Sequence, residues 1–321
     1  MPGRADEPDR RSVLALGLAA ALAPGIGVER AAATPAEAPL PLDEVAPGIH
    51  VFRAPYELLA PSNAGAIANM SLVVGDEAAL VIDTGNSVIA GRRLLAAVKA
   101  VTDKPLRYIV NTHMHPDHVL GNAAFSGVDA RFVGHRKLPR ALSMRAETYI
   151  EQLRRTMGDA VAAQSGVIIP DLLVEDRLEL DLGNRRLVLE AQPTAHTDND
   201  LTIRDTATDT WFLGDLLFMG HVPTLDGSLN GWLALIDRLV ALKAARVVPG
   251  HGPASAPWPG AIASETAYLA ELRAEVRAFV ARGGSMAEAG ETLTGGRGNW
   301  ALFDDFNARN VIAAYHELEW E

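Results

Sequence analysis

The positions of apolar and polar residues in the first half of the chain predict paired strands followed by a helix. Met70–Val74 and Ala79–Ile82 are apolar runs on either side of a turn at Gly75-Asp76, which predicts adjacent strands. Residues 90–101 instead repeat apolar positions at helical spacing and stop before a proline, which predicts a helix. The apolar run Tyr108-Ile109-Val110 predicts a strand after that helix.

The second half of the chain repeats this order of paired strands, helix and strand. Apolar runs flank Gly183-Asn184, a pair that suits the positive φ angles of a tight hairpin turn. Two such halves predict an α/β domain in which one sheet packs on another between layers of helices. The predicted segments are strands at 177–181, 186–190, 200–204 and 210–213, a helix at 231–243 and a strand at 246–248.

Three further segments have a helical pattern and are predicted to pack at the periphery. Residues 140–163 form one of them, and residues 305–318 form the last. Residues 262–281 place Leu269, Leu272 and Val276 on one face and charged residues on the other, which is typical of an amphipathic packing helix.

The N-terminal segment has the pattern of a targeting signal. Arg10-Arg11 precedes a short apolar run at 13–23, and Ala31-Ala32-Ala33 provides small residues of the kind found at cleavage sites. This pattern predicts a signal peptide at 1–33, and the paired arginines indicate the twin-arginine route. The alternative is a disordered tail.

The predicted organisation of the whole chain follows from these boundaries. We expect a linker at 34–43, an α/β domain at 44–255 and a helical extension at 256–321 that packs on the same domain. An exported protein of this kind would be periplasmic or secreted, with no stable membrane anchor after signal removal. The oligomeric state is left open.

Composition excludes several classes of protein. The formal net charge is −11 and the pI is about 5.3, so the overall field repels nucleic acid. With 48% hydrophobic residues the chain can bury a sizeable core. It contains no cysteine, which excludes disulfides, thiol catalysis and cysteine-ligated metals.

The strongest chemical signal is a cluster of histidines directly after the strand that ends at Val110. The sequence His113-Met114-His115-Pro116-Asp117-His118 places four potential ligands within six residues. A loop that leaves a strand can direct such side chains into one space, and imidazole with carboxylate suits zinc. The cluster therefore predicts a metal site.

Three more potential ligands, His196, Asp215 and His251, each follow a short apolar stretch. Strand ends and their loops form one rim of a layered α/β domain, so these residues are expected to meet the cluster. The seven residues divide into two sets joined by Asp215 as a bridge. The first ligand group is His113, His115 and His196, and the second ligand group is Asp117, His118 and His251.

Several segments resemble the metal-binding motifs of the metallo-β-lactamase superfamily. Besides the histidine cluster they are Asp83-Thr84-Gly85, Thr194-Ala195-His196-Thr197, Gly214-Asp215 and Pro249-Gly250-His251-Gly252. The resemblance covers residues 44–252 and implies a four-layer αββα sandwich with a dinuclear site at one edge of the sheets. It also implies that Asp215 lies where glyoxalase II-like hydrolases have a bridging carboxylate.

Three shorter segments, at 101–105, 225–228 and 317–320, resemble the quinoprotein relay system zinc metallohydrolases. This narrower resemblance implies an exported enzyme with a link to periplasmic quinoprotein metabolism.

The ligand set predicts a dinuclear zinc hydrolase. Two zinc ions about 3.5–4 Å apart would share a water, lower its pKa toward about 7 and provide a metal-bound hydroxide. The expected substrate is a small molecule with a carbonyl ester, thioester or lactam bond. Asp117 is the candidate catalytic residue that orients the nucleophile, and the first ligand group would hold the metal that polarises the carbonyl.

Other residues are expected around these ligands. Asp83 is the main candidate for orienting a ligand histidine, and Asp198 and Asp200 are further candidates. The segments 56–69 and 218–232 are predicted pocket walls, and His221 within the second is expected to contact substrate.

Two other classes of protein remain open on the sequence alone. His113, His196 and Asp215 could form the two-histidine, one-carboxylate triad of a mononuclear iron oxygenase similar to the persulfide dioxygenases. A metal-dependent carrier of a quinone cofactor is the other class. Among hydrolases, β-lactam cleavage is included, but the carboxylate bridge argues against it as the native role.

Overall fold

The computed structural model describes residues 38–321, so the predicted signal peptide and the start of the linker lie outside the described residues. The strands are β1 Asp43–Ala46, β2 Ile49–Phe52, β3 Met70–Val74, β4 Ala79–Ile82, β5 Leu106–Val110, β6 Arg131–His135, β7 Leu172–Val174, β8 Arg177–Asp181, β9 Arg186–Ala191, β10 Leu201–Asp205, β11 Thr210–Phe218 and β12 Arg246–His251. The helices are α1 Val88–Val101, α2 Pro116–Val119, α3 Leu138–Met157, α4 Asp159–Ala162, α5 Leu229–Leu239, α6 Ala263–Ala281, α7 Met286–Thr292 and α8 Phe303–Leu318.

The first sheet has seven strands in chain order from β1 to β7. Its first four strands are antiparallel, and the strands from β4 to β7 are parallel. Side chains alternate between its faces, as the period of a strand requires. In β4, Leu80 and Ile82 face the second sheet, whereas Val81 packs against α1.

The second sheet has five strands in the order β12-β11-β10-β9-β8. All neighbours are antiparallel except β11 and β12, which are parallel. The predicted hairpin between β8 and β9 is confirmed. Gly183 and Asn184 have φ angles of +81° and +50°, the two positive values that a tight type I′ turn needs.

The two sheets pack face to face, and helices cover their outer faces. Residues of both sheets, among them Val51, Val110, Leu189 and Phe212, form one buried cluster between the sheets. Helix α1 packs on the outer face of the first sheet, while α5, α6 and α8 pack with Trp211 on the outer face of the second. The predicted four-layer αββα sandwich is confirmed.

Capping residues account for two differences between predicted and observed helix starts. Helix α1 begins two residues earlier than predicted, because the Ser87 hydroxyl accepts the backbone N–H groups of Ile89 and Ala90. Helix α5 likewise begins at a cap, Ser228. The predicted single helix at 140–163 is wrong: Gly158, with a φ of +87°, separates α3 from α4.

No helix within residues 38–321 has the length and apolar character needed to cross a membrane.

Candidate metal centre

The loop after β5 is shaped by a buried network around Asp83. The backbone N–H and the hydroxyl of Thr112 each donate to the Asp83 carboxylate at 2.8 Å. The Asn111 amide donates to the carbonyl oxygen of His118 at 3.0 Å, which closes the loop on itself. The short helix α2 then begins after His115, with Pro116 at its first position.

The first ligand group converges on one point. His113 Nε2, His115 Nδ1 and His196 Nε2 form a triangle with edges of 3.1, 2.9 and 3.3 Å. A tetrahedral zinc with Zn–N bonds of about 2.0–2.1 Å sets nitrogen ligands about 3.3 Å apart. The triangle therefore has about the dimensions of one face of a zinc coordination tetrahedron.

A second contact fixes the orientation of each of these imidazole rings, as is usual for metal ligands. The contacts are His113 Nδ1 to Thr112 Oγ1 at 3.0 Å, His115 Nε2 to Asp226 Oδ2 at 3.0 Å, and His196 Nδ1 to the Thr224 carbonyl oxygen at 2.7 Å.

The second ligand group lies beside the first. Asp117 Oδ2 is 3.2 Å from His251 Nε2 and 3.6 Å from His118 Nε2. His118 directs its other nitrogen, Nδ1, at Asp83 Oδ2, 2.8 Å away. The predicted orienting role of Asp83 has this contact as its structural basis.

Asp215 lies between the two groups. Its Oδ2 is 3.5 Å from His196 Nε2 and 3.8 Å from His113 Nε2 in the first group, and 3.5 Å from His251 Nε2 in the second. Its Oδ1 is 3.2 Å from His118 Nε2. This is the placement that a bridging carboxylate would need.

The backbone around Asp215 differs from the sequence prediction. The strand was expected to end before Asp215, but β11 continues to Phe218 and carries an irregularity at Gly214, where φ is +51°. Gly250 on the paired strand leaves space for the carboxylate, because a Cβ there would lie 1.9 Å from Asp215 Oδ1. Asp215 therefore points into the centre from within a strand rather than from a loop.

The residues present fit a divalent cation. Among the described residues, His118 Nε2 and Asp215 Oδ1 are buried without a hydrogen-bond partner. Such atoms are costly in a folded protein unless a ligand satisfies them. Imidazole and carboxylate donors suit zinc or iron, so the donor set leaves the identity of the metal open.

The charge states differ between the two groups. Burial lowers the pKa of His113 and lowers that of His196 to about 3, which leaves neutral nitrogens available to a cation. Burial acts in the same direction on His118 and His251, but the neighbouring carboxylates outweigh it. They raise the pKa of both, that of His251 to about 9, so the second group attracts positive charge.

Two aromatic residues pack against the rings of the ligands His196 and His251. Phe218 stacks on His251 with ring centroids 5.1 Å apart and planes 6° apart. Trp232 packs edge-on against His196 at 5.3 Å, and Phe218 also contacts that ring. These contacts restrict the rotamers of ligands that come from different strands.

The other predicted residues have different positions. Asp198 is half exposed and lies 3.8 Å from Lys137, so its predicted contact with the ligands is wrong. Asp200 accepts two hydrogen bonds from Thr197 and holds the turn after His196 rather than a ligand ring. Burial raises its pKa to about 8.

His221 lies at the edge of the centre, with its ring 4.8 Å from that of His251. Its Nδ1 bonds to the carbonyl oxygen of Val222 at 2.6 Å, and burial lowers its pKa to about 4. The two predicted pocket walls meet nearby, where the Tyr56 hydroxyl donates to the Met219 carbonyl oxygen at 2.7 Å.

Sequence reasoning missed Asp226 and Thr112 as residues that orient ligands. Asp226 belongs to a segment that carried the narrower family resemblance, but nothing in its local sequence indicates a contact with His115. Thr112 directly precedes the histidine cluster, and a hydroxyl at that position was the available signal.

Residues 64–251 match the family model described as the metallo-beta-lactamase superfamily. The chain belongs to this superfamily.

Two curated relatives match parts of the chain. The first, the linear primary-alkylsulfatase of Pseudomonas sp., is 28% identical over an alignment of 229 residues that covers 56% of this chain and 40% of the relative. The second, the beta-lactamase-like protein 2 homolog of Caenorhabditis elegans, is 26% identical over 175 residues, or 54% of this chain and 52% of the relative. The chain thus spans about half or less of the length of these relatives.

A solved structure, the stereoselective inverting sec-alkylsulfatase Pisa1 from Pseudomonas sp., superposes with a TM-score of 0.63 at 16% identity. The superposition covers 86% of this chain and 49% of that protein. At this identity it shows a shared fold. The narrower resemblance to the quinoprotein relay enzymes stays a prediction.

Proposed function

We propose that this chain is a dinuclear zinc hydrolase that cleaves a carbonyl ester, thioester or lactam bond in a small molecule. The observation that carries the proposal is the position of Asp215 between the two ligand groups: its Oδ1 lies 3.2 Å from His118 Nε2 in the second group, and its Oδ2 lies 3.5 Å from His196 Nε2 in the first. A centre for one metal would need only one of these groups. Membership of a superfamily whose matched relatives are named for sulfatase and lactamase-like proteins supports hydrolysis.

Two cations held by these groups would lower the pKa of a shared water toward about 7 and polarise the scissile bond. The protein side chains do the remaining work. Asp117 is the more exposed of the ligand carboxylates, at 16% of its side chain compared with 3% for Asp215. We assign to Asp117 the role of orienting the attacking water and of accepting its proton at Oδ1, because Oδ2 faces the other ligands of the second group.

The buried side of the centre provides an apolar environment for the reaction. The ligands Asp215, His118 and His196 are buried. Phe218 packs against His196 and Trp232, so aromatic rings border the centre on this buried side. A low-dielectric floor strengthens the electrostatic stabilisation of charge that develops during the reaction.

Metal analysis and turnover together test this function. The purified protein should contain about two zinc per chain and should cleave at least one substrate from a panel of nitrophenyl esters, thioesters and a chromogenic cephalosporin. Removal of metal with a chelator should abolish cleavage, and zinc should restore it. About one iron per chain with oxygen consumption would support the iron oxygenase instead, and a tightly held quinone without turnover would support the carrier.

We also propose that the chain is exported by the twin-arginine route, with a role near periplasmic quinoproteins. The proposal rests on Arg10-Arg11 and on the narrower family resemblance. Replacement of both arginines by lysine should retain the precursor in the cytoplasm. N-terminal sequencing of the unaltered exported protein should give a start near Thr34. Normal export of the lysine variant would exclude the twin-arginine route.

A further inference from the structure

Two arginines stand at the open side of the metal centre. Arg145 comes from α3 and Arg309 from α8, and each has its Nη2 atom 4.0 Å from a carboxylate oxygen of Asp226. Asp226 in turn binds His115 at 3.0 Å. Elements far apart in sequence therefore bring two guanidinium groups to the side of the site where the first ligand group meets solvent.

Neither guanidinium group is engaged in a hydrogen bond within residues 38–321. At 4.0 Å, each contact with Asp226 is longer than a hydrogen bond, and Asp226 already accepts from His115. Within residues 38–321 neither guanidinium makes a hydrogen bond to another side chain or to the backbone. The side chains of Arg145 and Arg309 are 36% and 63% exposed. Their N–H groups are thus free to meet a ligand.

Aromatic side chains lie next to Arg309, on the side of the centre that holds His251. Phe306 is three residues before Arg309 on α8, so the two share a face of that helix. The Phe306 ring is 5.5 Å from the His221 ring, which is itself 4.8 Å from the ring of His251. The opening is therefore basic beside the first ligand group and aromatic beside the second.

We propose that Arg145 and Arg309 bind an anionic group of the substrate, whose apolar part lies against Phe306 and His221. The substrate class is an amphipathic organic anion. The anion is either a carboxylate remote from the scissile bond or a sulfate ester that contains that bond, because guanidinium groups recognise both. This inference rests on the proposed hydrolase function: a remote carboxylate narrows the substrate of that function, whereas a sulfate ester would add a scissile bond to it.

Kinetics with matched substrates test the inference. Mono-(4-nitrophenyl) glutarate carries a remote carboxylate, 4-nitrophenyl sulfate carries the anion at the scissile bond, and 4-nitrophenyl butyrate is neutral. The unaltered enzyme should prefer one of the two anions to the butyrate ester. Arg145→Gln and Arg309→Gln should each reduce kcat/KM for that anion about tenfold, mainly through KM, and leave the neutral ester unchanged. Arg155→Gln, a change on the same α3 helix at a 76% exposed arginine, is the matched control and should change neither.

Equilibrium binding gives a readout that does not need turnover. Octanesulfonate is an apolar anion that cannot be hydrolysed, and methyl octyl sulfone is its neutral counterpart. Calorimetry with the zinc-loaded protein should show tighter binding of the sulfonate, with a loss of about tenfold in either arginine variant. Unchanged sulfonate affinity in both variants, or equal losses for charged and neutral ligands, would overturn the inference. If no substrate is cleaved but the sulfonate binds through the arginines, the hydrolase proposal fails and the anion site stands.

Discussion

Asp83 offers the sharpest test of how the metal centre is held. Its Oδ1 accepts the Thr112 backbone N–H, and its Oδ2 accepts from the Thr112 hydroxyl and from His118 Nδ1, each at 2.8 Å. In Asp83→Asn, the backbone donor still requires an oxygen at Oδ1. The amide NH2 then faces His118 Nδ1 and forces that ring to carry its proton on Nε2. Protonated Nε2 cannot ligate a metal.

The expected cost follows from the role of such contacts in metal sites. Loss of a residue that orients a ligand lowers metal affinity about 10–100-fold. This corresponds to about 1.4–2.8 kcal/mol of binding free energy at the second ligand group. The fold should tolerate the change, because Asp83 has a φ of +58° and asparagine adopts such angles readily.

Competition with a zinc-binding dye measures the affinity for each of the two zinc ions separately. Asp83→Asn should weaken one zinc by this amount and leave the other close to its original affinity. Asp226→Asn is the matched change beside His115, and it should weaken the other zinc by less, since the Asp226 side chain is 28% exposed and water can replace it. Two zinc ions of unaltered affinity in Asp83→Asn would refute the reasoning.

Three further predictions concern single residues. Asp117→Asn should lower kcat at least about a hundredfold in the zinc-replete protein while the denaturation midpoint stays the same, and unchanged turnover would exclude the assigned role. Gly250→Ala should lower zinc content measured after dialysis, because the added Cβ would meet the Asp215 carboxylate at 1.9 Å; full occupancy would contradict this. Burial raises the pKa of Glu265 well above its ordinary value, with one oxygen accepting from Phe218 N–H, so the folded state keeps a proton that the unfolded chain releases above about pH 4.3. The free energy of unfolding should therefore fall as pH rises, by up to about 1.4 kcal/mol per pH unit more than in the Glu265→Gln variant. Denaturation of both proteins at pH 5 and pH 7, at fixed zinc, measures this difference. The same change with pH in both proteins would contradict the prediction.

The fold was predictable because its signals are local. The signals are the apolar runs of β3 and β4, the Gly183-Asn184 turn and the helical spacing of apolar residues in α6, and each can be read from neighbouring residues. The points at which helices are interrupted were less predictable. The sequence pattern places Gly158 within a helix, because a single glycine does not reveal whether the backbone will adopt a positive φ.

The candidate site was predictable only in part. The seven expected ligands come together, and for all but Asp215, which lies within β11, the reason is that strand ends and their loops share one rim. Their ligand role itself stays a prediction. Asp226 and the two arginines could not be predicted, since loops and helices far apart in sequence place them and the sheet pattern does not fix that placement. Asp198 shows the converse: an acidic residue two positions after His196 points to solvent.

Each ligand group takes residues from both sheets. His113 follows a strand of the first sheet, whereas His196 lies between two strands of the second, 83 residues further along the chain. A bound ion would thus tie together segments that are otherwise joined by packing and by hydrogen bonds such as that from the Leu201 N–H to the Thr112 carbonyl oxygen at 2.8 Å, as a disulfide does in secreted proteins. Closing a loop of this length restricts the unfolded chain by on the order of 4 kcal/mol in the chain-entropy model. In a chain without cysteine, bound metal ions would serve as cross-links, and loading with metal would be a step in the maturation of the protein as well as in its chemistry.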